Sequence, residues 1–221
     1  MYQLTDDLIF PHPKLSDEHG LLAMGGDLSS ERLLLAYQNG IFPWFDEHSP
    51  ILWWSPDPRM VLFPADLKIS KSMKTHFNQK RFKVTYNKSF KEVIDACAGV
   101  DRKGQVGTWI TQDMKKAYIE LFDKGIAKSV EVWSGDELVG GLYGVLLKDQ
   151  KIFCGESMFA TQTDASKYGF IIFVKKMQQK GLKLIDCQIY TKHLESLGAT
   201  EIPRDFFLKY LKSNQEFDNF S

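Results

Sequence analysis

The chain has 221 residues, 43% hydrophobic and 25% charged, with 28 basic against 28 acidic side chains, so it can bury a sizeable core and its net charge points to no partner. Three cysteines, Cys97, Cys154 and Cys187, are an odd number without CxxC spacing, which excludes a disulfide framework or zinc site and points to a reducing compartment. The N-terminus lacks a basic leader, and the longest apolar run, GFIIFV, is far too short to span a bilayer, so a soluble cytoplasmic protein is expected.

Residues 1–62 form a compositional block of their own, read as a small N-terminal domain before a larger one over 63–221. Phe10-Pro11-His12-Pro13 is extended or turning, because each proline biases the residue before it away from helix. Ser29 to Tyr37 reads as a short helix with serine caps, stopped by Asn39-Gly40. The stretch GIFPWFDEHSPILWWSPDPRMVLF then carries Pro43, Pro50, Pro56 and Pro58 among Trp44, Trp53 and Trp54. These prolines forbid continuous helix and demote any central strand. What remains is stiff aromatic chain, which either lines a site or plugs the small domain onto the next.

From Lys68 to Lys91 the chain has eight basic residues and no acidic one: Lys68, Lys71, Lys74, Lys80, Arg81, Lys83, Lys88 and Lys91. Ser70 can cap a helix with Lys71 and Lys74 a turn apart, and Phe82, Val84 and Tyr86 alternate with Arg81, Lys83 and Thr85 as in a half-buried strand. So one-sided a segment is either a solvated face or a footprint for a phosphate backbone. Phe90 to Ala98 and Thr111 to Lys124 read as helices, joined through a mobile loop DRKGQVG and Thr108-Trp109-Ile110. Ser129 to Trp133, Glu137 to Leu147 and Lys151 to Phe159 read as an antiparallel meander, with Gly140-Gly141 marking a bulge or a close approach.

In Phe153 to Phe159, strict alternation places Cys154, Glu156 and Met158 on one face. Thr163 or Asp164 can cap the next helix, which runs to Gln179 and stops at Gly181. Leu182 to Gln188 is a further strand, with Leu184, Asp186 and Gln188 on one face. Glu156 and Asp186 interrupt apolar faces, and the helix between them, with Tyr168, Phe170, Ile171, Ile172, Phe173 and Val174, is apolar on more than one side. Either a second domain covers that helix and the carboxylates are structural, or an apolar pocket has carboxylates at its mouth. A short helix over Lys192 to Leu197, a stop at Gly198, a short strand, a helix over Arg204 to Leu211 and a tail fraying from Ser213 complete a mixed sheet with helices, α/β or α+β.

Several chemistries drop out. The five histidines have no metal-binding spacing, there is no GxxxxGK[ST], and the glycines at 140, 141 and 144 sit inside a strand. Cys187 points away from Asp186 and lacks a histidine partner. A site of carboxylates, an amide and apolar walls remains, suited to orientation and proton handling around an activated acyl donor.

GLLAMGGDLSSERLLLAYQNGIFPWF, LWWSPDPRMVLFP, TWIT, SVEVW, LVGGLYGV, GESMF, ASK, LIDCQ and HLESLGATEIPR together resemble bacterial leucyl/phenylalanyl-tRNA–protein transferase, from about residue 8 to 211. The resemblance implies a small N-terminal domain, a C-terminal domain like Gcn5-related N-acetyltransferases, and no cofactor. It implies transfer of Leu or Phe, and Met less well, from aminoacyl-tRNA to proteins whose N-terminal residue is Arg or Lys, feeding the N-degron pathway. Such an acceptor amine, with a pKa near 7.7–8.0, needs only a mild base.

By the same resemblance Asp186 and Gln188 flank the reacting centre, with Asp186 receiving the amine proton through Gln188, and Glu156 holds the nucleophile or the terminal adenosine. Assistance by the terminal ribose is a rival. Trp44 and Trp109, with Tyr118 nearby, would stack on that adenosine. Leu142, Met158, Phe170, Phe173, Met177 and Ile185 would form the aminoacyl side-chain pocket. Met177 and Phe170 depart from the residues relatives often carry, which bears on Leu versus Phe preference. Lys71, Lys74, Lys80, Arg81 and Lys83 would follow the tRNA backbone. Two other readings are an acetyl-CoA-dependent N-acyltransferase, against which ATQTDASK lacks a phosphate-binding glycine, and a non-catalytic RNA-binding module. A monomer without membrane attachment is expected.

Overall fold

The computed structural model describes residues 1–100 and 109–212; the DRKGQVG loop and the tail from Ser213 lie outside them. A four-stranded sheet runs β1-β2-β4-β3, from β1 (Tyr2–Leu4), β2 (Leu21–Gly25), β3 (Phe42–Pro43) and β4 (Leu52–Trp54). Helix α1 (Ser30–Gln38) begins where expected, with the Ser29 hydroxyl accepting from the Arg32 amide at 3.3 Å. Trp53 is fully buried in this unit, its indole donating to the Gly25 carbonyl at 2.9 Å and meeting the Phe10 ring edge-on. This tryptophan is therefore packing. Trp53→Ala is expected to cost about 3–5 kcal/mol of unfolding free energy, measured by urea denaturation.

The larger sheet runs β11-β5-β10-β9-β8-β7-β6. Its strands are β5 (Arg59–Leu62), β6 (Lys83–Tyr86), β7 (Ala127–Ser134), β8 (Glu137–Leu147), β9 (Ile152–Ala160), β10 (Leu184–Gln188) and β11 (Thr200–Ile202). β7 to β9 form the expected meander, with β6 antiparallel on its outer edge, while β9 and β10 pair in parallel across the crossover helix α5 (Ala165–Gln179). β5 is the element the prolines concealed. It is an interior strand between β10 and β11, starts immediately after Pro58, and buries all four residues. The larger sheet therefore begins at residue 59, inside the block first assigned to the small domain.

One local expectation holds and two need correction. The bulge expected at the glycine pair is real, with register shifting opposite Val132/Trp133, yet the space at Gly140 is filled by α5: a Cβ there would lie 2.9 Å from the Ala165 Cβ. Asp164 stands at the N-cap of α5 with φ 67°, but its carboxylate makes no capping bond and instead lies 3.3 Å from the His76 ring. Beyond the sheet, the apolar surface of α5 meets α2 (Lys71–Asn78) and the turn Pro64–Asp66, and Phe77 and Phe82 pack on Tyr168. Among the described residues, no helix is long and apolar enough to cross a membrane.

Candidate active site

The site opens where the parallel pair β9–β10 parts. Their ladder runs from Leu184–Ile152 to Asp186–Cys154 and stops. Just beyond, both strands bulge: β9 carries Glu156 as an extra residue opposite the Tyr143–Gly144 step, and β10 carries Cys187 as an extra residue opposite the Val61–Met60 step. A bulge re-aims side chains and reverses the pleat beyond it. This is why strict alternation fails. Cys154 packs into the core that contains Tyr37, Tyr118 and α3 (Phe90–Ala98), and Glu156 reaches Tyr118 on that side, whereas Met158 packs with Phe170 in the core under α5.

Glu156 is held by two donors. The hydroxyl of Tyr118, on α4 (Gln112–Asp123), donates to Oε2 at 2.8 Å, and the Gln188 amide donates to Oε1 at 2.9 Å. Behind Tyr118, the Tyr37 hydroxyl closes a short contact with the Tyr118 hydroxyl. Burial drives the Glu156 carboxyl up to about 7 despite these donors, so it can exchange a proton near neutrality. Gln188 sits at φ +65°, a left-handed conformation that costs a non-glycine residue about 1–3 kcal/mol and is here imposed by the bulge.

Asp186 is placed differently from the sequence reading. It is 1% exposed, and its carboxylate accepts from Arg59 Nε at 2.8 Å and from a second Arg59 guanidinium nitrogen at 2.7 Å. The remaining Arg59 nitrogen donates to the Gly40 carbonyl at 3.1 Å, and the guanidinium lies 4.8 Å from both the Phe42 and Phe207 rings. Asp186 does not line the cavity, and the Gln188 side chain turns to Glu156, so the structure has no side-chain relay from Gln188 to Asp186. What links them is the Gln188 backbone amide, which donates to Asp186 Oδ1 at 3.0 Å. The sequence offered no sign of Arg59, which sits in a run dominated by proline.

A cavity of about 630 Å³ lies against these groups. Trp44 and Trp109 line it, as do Leu142, Met158, Phe170 and Ile185, together with Glu156 and Gln188. Three expected members are elsewhere. Tyr118 is fully buried beneath Glu156 and offers no face for stacking. Phe173 and Met177 line a second cavity, separated from the first by Phe153, whose ring meets Phe173 edge-on at 4.6 Å. Residues the sequence reading missed include Phe153, Cys187 and His193. The Cys187 thiol is pushed far up by burial and by the neighbouring Asp186 charge, so it is no nucleophile. Lys71, Lys74, Lys80, Arg81 and Lys83 are all exposed on α2, the turn after it and β6.

The family model described as leucyl/phenylalanyl-tRNA protein transferase matches residues 61–212, and that of its N-terminal domain matches 26–57. Relatives named leucyl/phenylalanyl-tRNA–protein transferase include one from Christiangramia forsetii, 59% identical over 96% of this chain and all of its own length. Another, from Flavobacterium johnsoniae, is 58% identical with the same coverage of both chains. Among solved structures, L-PGS from Bacillus licheniformis superposes with a TM-score of 0.42 at 11% identity, covering 85% of this chain and 63% of that one. A GCN5-related N-acetyltransferase from Kribbella flavida gives 0.35 at 12%, covering 76% and 59%.

Proposed function

Because the chain belongs to the leucyl/phenylalanyl-tRNA–protein transferase family and is an aminoacyltransferase, we propose that its cavity joins the Leu or Phe ester of an aminoacyl-tRNA to the α-amine of a protein beginning with Arg or Lys. The observation that carries this reading is Glu156, a carboxyl raised to about 7 in a cavity that is also lined by apolar side chains and two tryptophans. The donor's side chain lies against Leu142, Met158, Phe170 and Ile185, and its terminal adenosine stacks on Trp44 or Trp109. The acceptor reacts as its free amine, and Glu156 takes one proton from the nitrogen as it attacks the ester carbonyl. Gln188 uses one amide hydrogen on Glu156, leaving the other for the acyl oxygen. As the intermediate collapses, the carbon–oxygen bond breaks and Glu156 returns the proton to the departing 3′-oxygen. In this scheme Glu156, and not Asp186, handles the proton, and it is also the carboxylate facing a cationic acceptor.

The direct test supplies tRNA charged with labelled leucine together with peptides beginning with Lys, Arg or Ala. Label is expected on the first two only; label on all three, or on none, rejects the assignment. The exposed basic run guides the tRNA through its phosphates. Changing Lys71 and Lys74 to Glu together is expected to weaken Leu-tRNA binding and reduce its salt slope by about 1 for each lost contact, read by filter binding across a salt series. The reading includes a monomer working in the cytoplasm, and sedimentation at assay concentration tests the first point.

A further inference from the structure

Tyr37 lies in the last turn of α1, is 1% exposed and does not line the cavity, yet its hydroxyl stands directly behind the site, against that of Tyr118. α1 docks on α4 near both of its ends. In its first turn the Ser30 hydroxyl donates to Glu120 at 2.7 Å and Glu31 pairs with Lys124 at 3.3 Å; in its last, the Tyr37 and Tyr118 hydroxyls meet. A phenylalanine at residue 37 would fill nearly the same space, and a buried hydroxyl costs free energy unless it is paired. The Tyr118 hydrogen goes to Glu156 Oε2, so Tyr37 donates to the Tyr118 oxygen. A hydroxyl that accepts a hydrogen bond becomes a stronger donor in turn. Burial and the Glu156 charge hold both phenols well above their ordinary value, so both keep their hydrogens at neutral pH.

We infer that Tyr37 is a positioning residue for the transfer reaction: acting with Tyr118, it holds the Glu156 carboxylate in place and in the form that accepts a proton. This rests on the reading of Glu156 as the proton acceptor, and it gives the small domain a part in the chemistry as well as in packing. Burial pushes the Glu156 carboxyl up, and the Tyr118 and Tyr37 hydroxyls pull against that rise. The other titratable groups around Glu156 come from several strands. Cys154 precedes it on β9, Tyr143 on β8 meets the Tyr118 ring edge-on, and Asp186 on β10 is paired with Arg59 on β5. His193 lines the same cavity. Removing one hydroxyl from residue 37 leaves all of these in place.

Tyr37→Phe in the full chain tests this with two readouts. Infrared difference spectroscopy titrates the protonated Glu156 carboxyl directly, its band identified by its loss in Glu156→Gln. The midpoint is expected to move up by about half a unit to one unit, the effect of one lost hydrogen bond. Leucine transfer should then fall by about threefold to tenfold at pH 6 and be unchanged at pH 9, with KM for Leu-tRNA unaltered at both. A residue that only packs would lower the folded fraction and so reduce transfer by the same factor at every pH. That uniform loss, or an unmoved infrared midpoint in protein shown to be folded by urea denaturation, overturns the proposal. A midpoint that moves while the transfer profile stays put would keep the link from Tyr37 to Glu156 and reject Glu156 as the proton acceptor.

Discussion

Asp186→Ala is expected to lower unfolding free energy by about 3–5 kcal/mol, because it strands the fully buried Arg59 guanidinium without its counter-charge. A group that served only as a proton acceptor could be lost without unfolding the protein. Urea denaturation distinguishes the two roles, and wild-type stability in Asp186→Ala would refute the structural one. The double change Arg59→Met with Asp186→Leu removes both charges and should recover much of the loss. Transfer activity should not return with it in full, since the Gln188 amide also loses its contact with Asp186, and Gln188 is the residue that holds Glu156.

The largest kinetic effect is expected from Glu156→Gln, a loss of about 10²–10⁴ in kcat at pH 7.5 with folding intact. The pH profile is the sharper measurement. With wild-type protein, transfer should rise as pH passes 7, where Glu156 becomes the carboxylate that can accept a proton, and again near 7.7–8.0 as the acceptor amine deprotonates. In Glu156→Gln only the second rise should remain. Tyr118→Phe removes a donor to the carboxylate, so the first rise should move to higher pH. Stability should show the opposite trend. Glu156 titrates near 4.5 when unperturbed and near 7 in the fold, so ionising it costs stability progressively between those values. Glu156→Gln should therefore be more stable than wild type at pH 8 and about equal to it at pH 4. Equal stability at both would mean the carboxyl is not perturbed.

Sequence patterning singled out Glu156 and Gln188, the family resemblance added Trp44 and Trp109, and the structure brings all four to one cavity. Helices with clear caps, such as those at Ser29, Ser70 and Thr111, also begin where their hydroxyls indicate. What patterning could not show was the pair of bulges. One inserted residue in β9 reverses which side Met158 faces relative to Glu156, and no propensity marks that insertion. Arg59 was invisible for another reason. Its meaning lies in a partner 127 positions away and in a strand that its neighbouring prolines argued against. Phe173 and Met177 follow the apolar stripe of α5 correctly, but Phe153 stands between that stripe and the first cavity, a fact set by packing.

Arg59 gathers the Gly40 carbonyl, the Phe42 ring, Asp186 and the Phe207 ring of the closing helix, Arg204–Lys212, around a single guanidinium. That helix also packs Leu208 and Leu211 at Gly40, immediately before the strand that leads to Trp44. During synthesis, the tryptophan wall thus waits for residues made about 160 positions later. A chain cut just before residue 204 would keep every described side chain of the cavity and is still expected to lose transfer, because the Gly40 turn and the Arg204–Lys212 helix clasp each other.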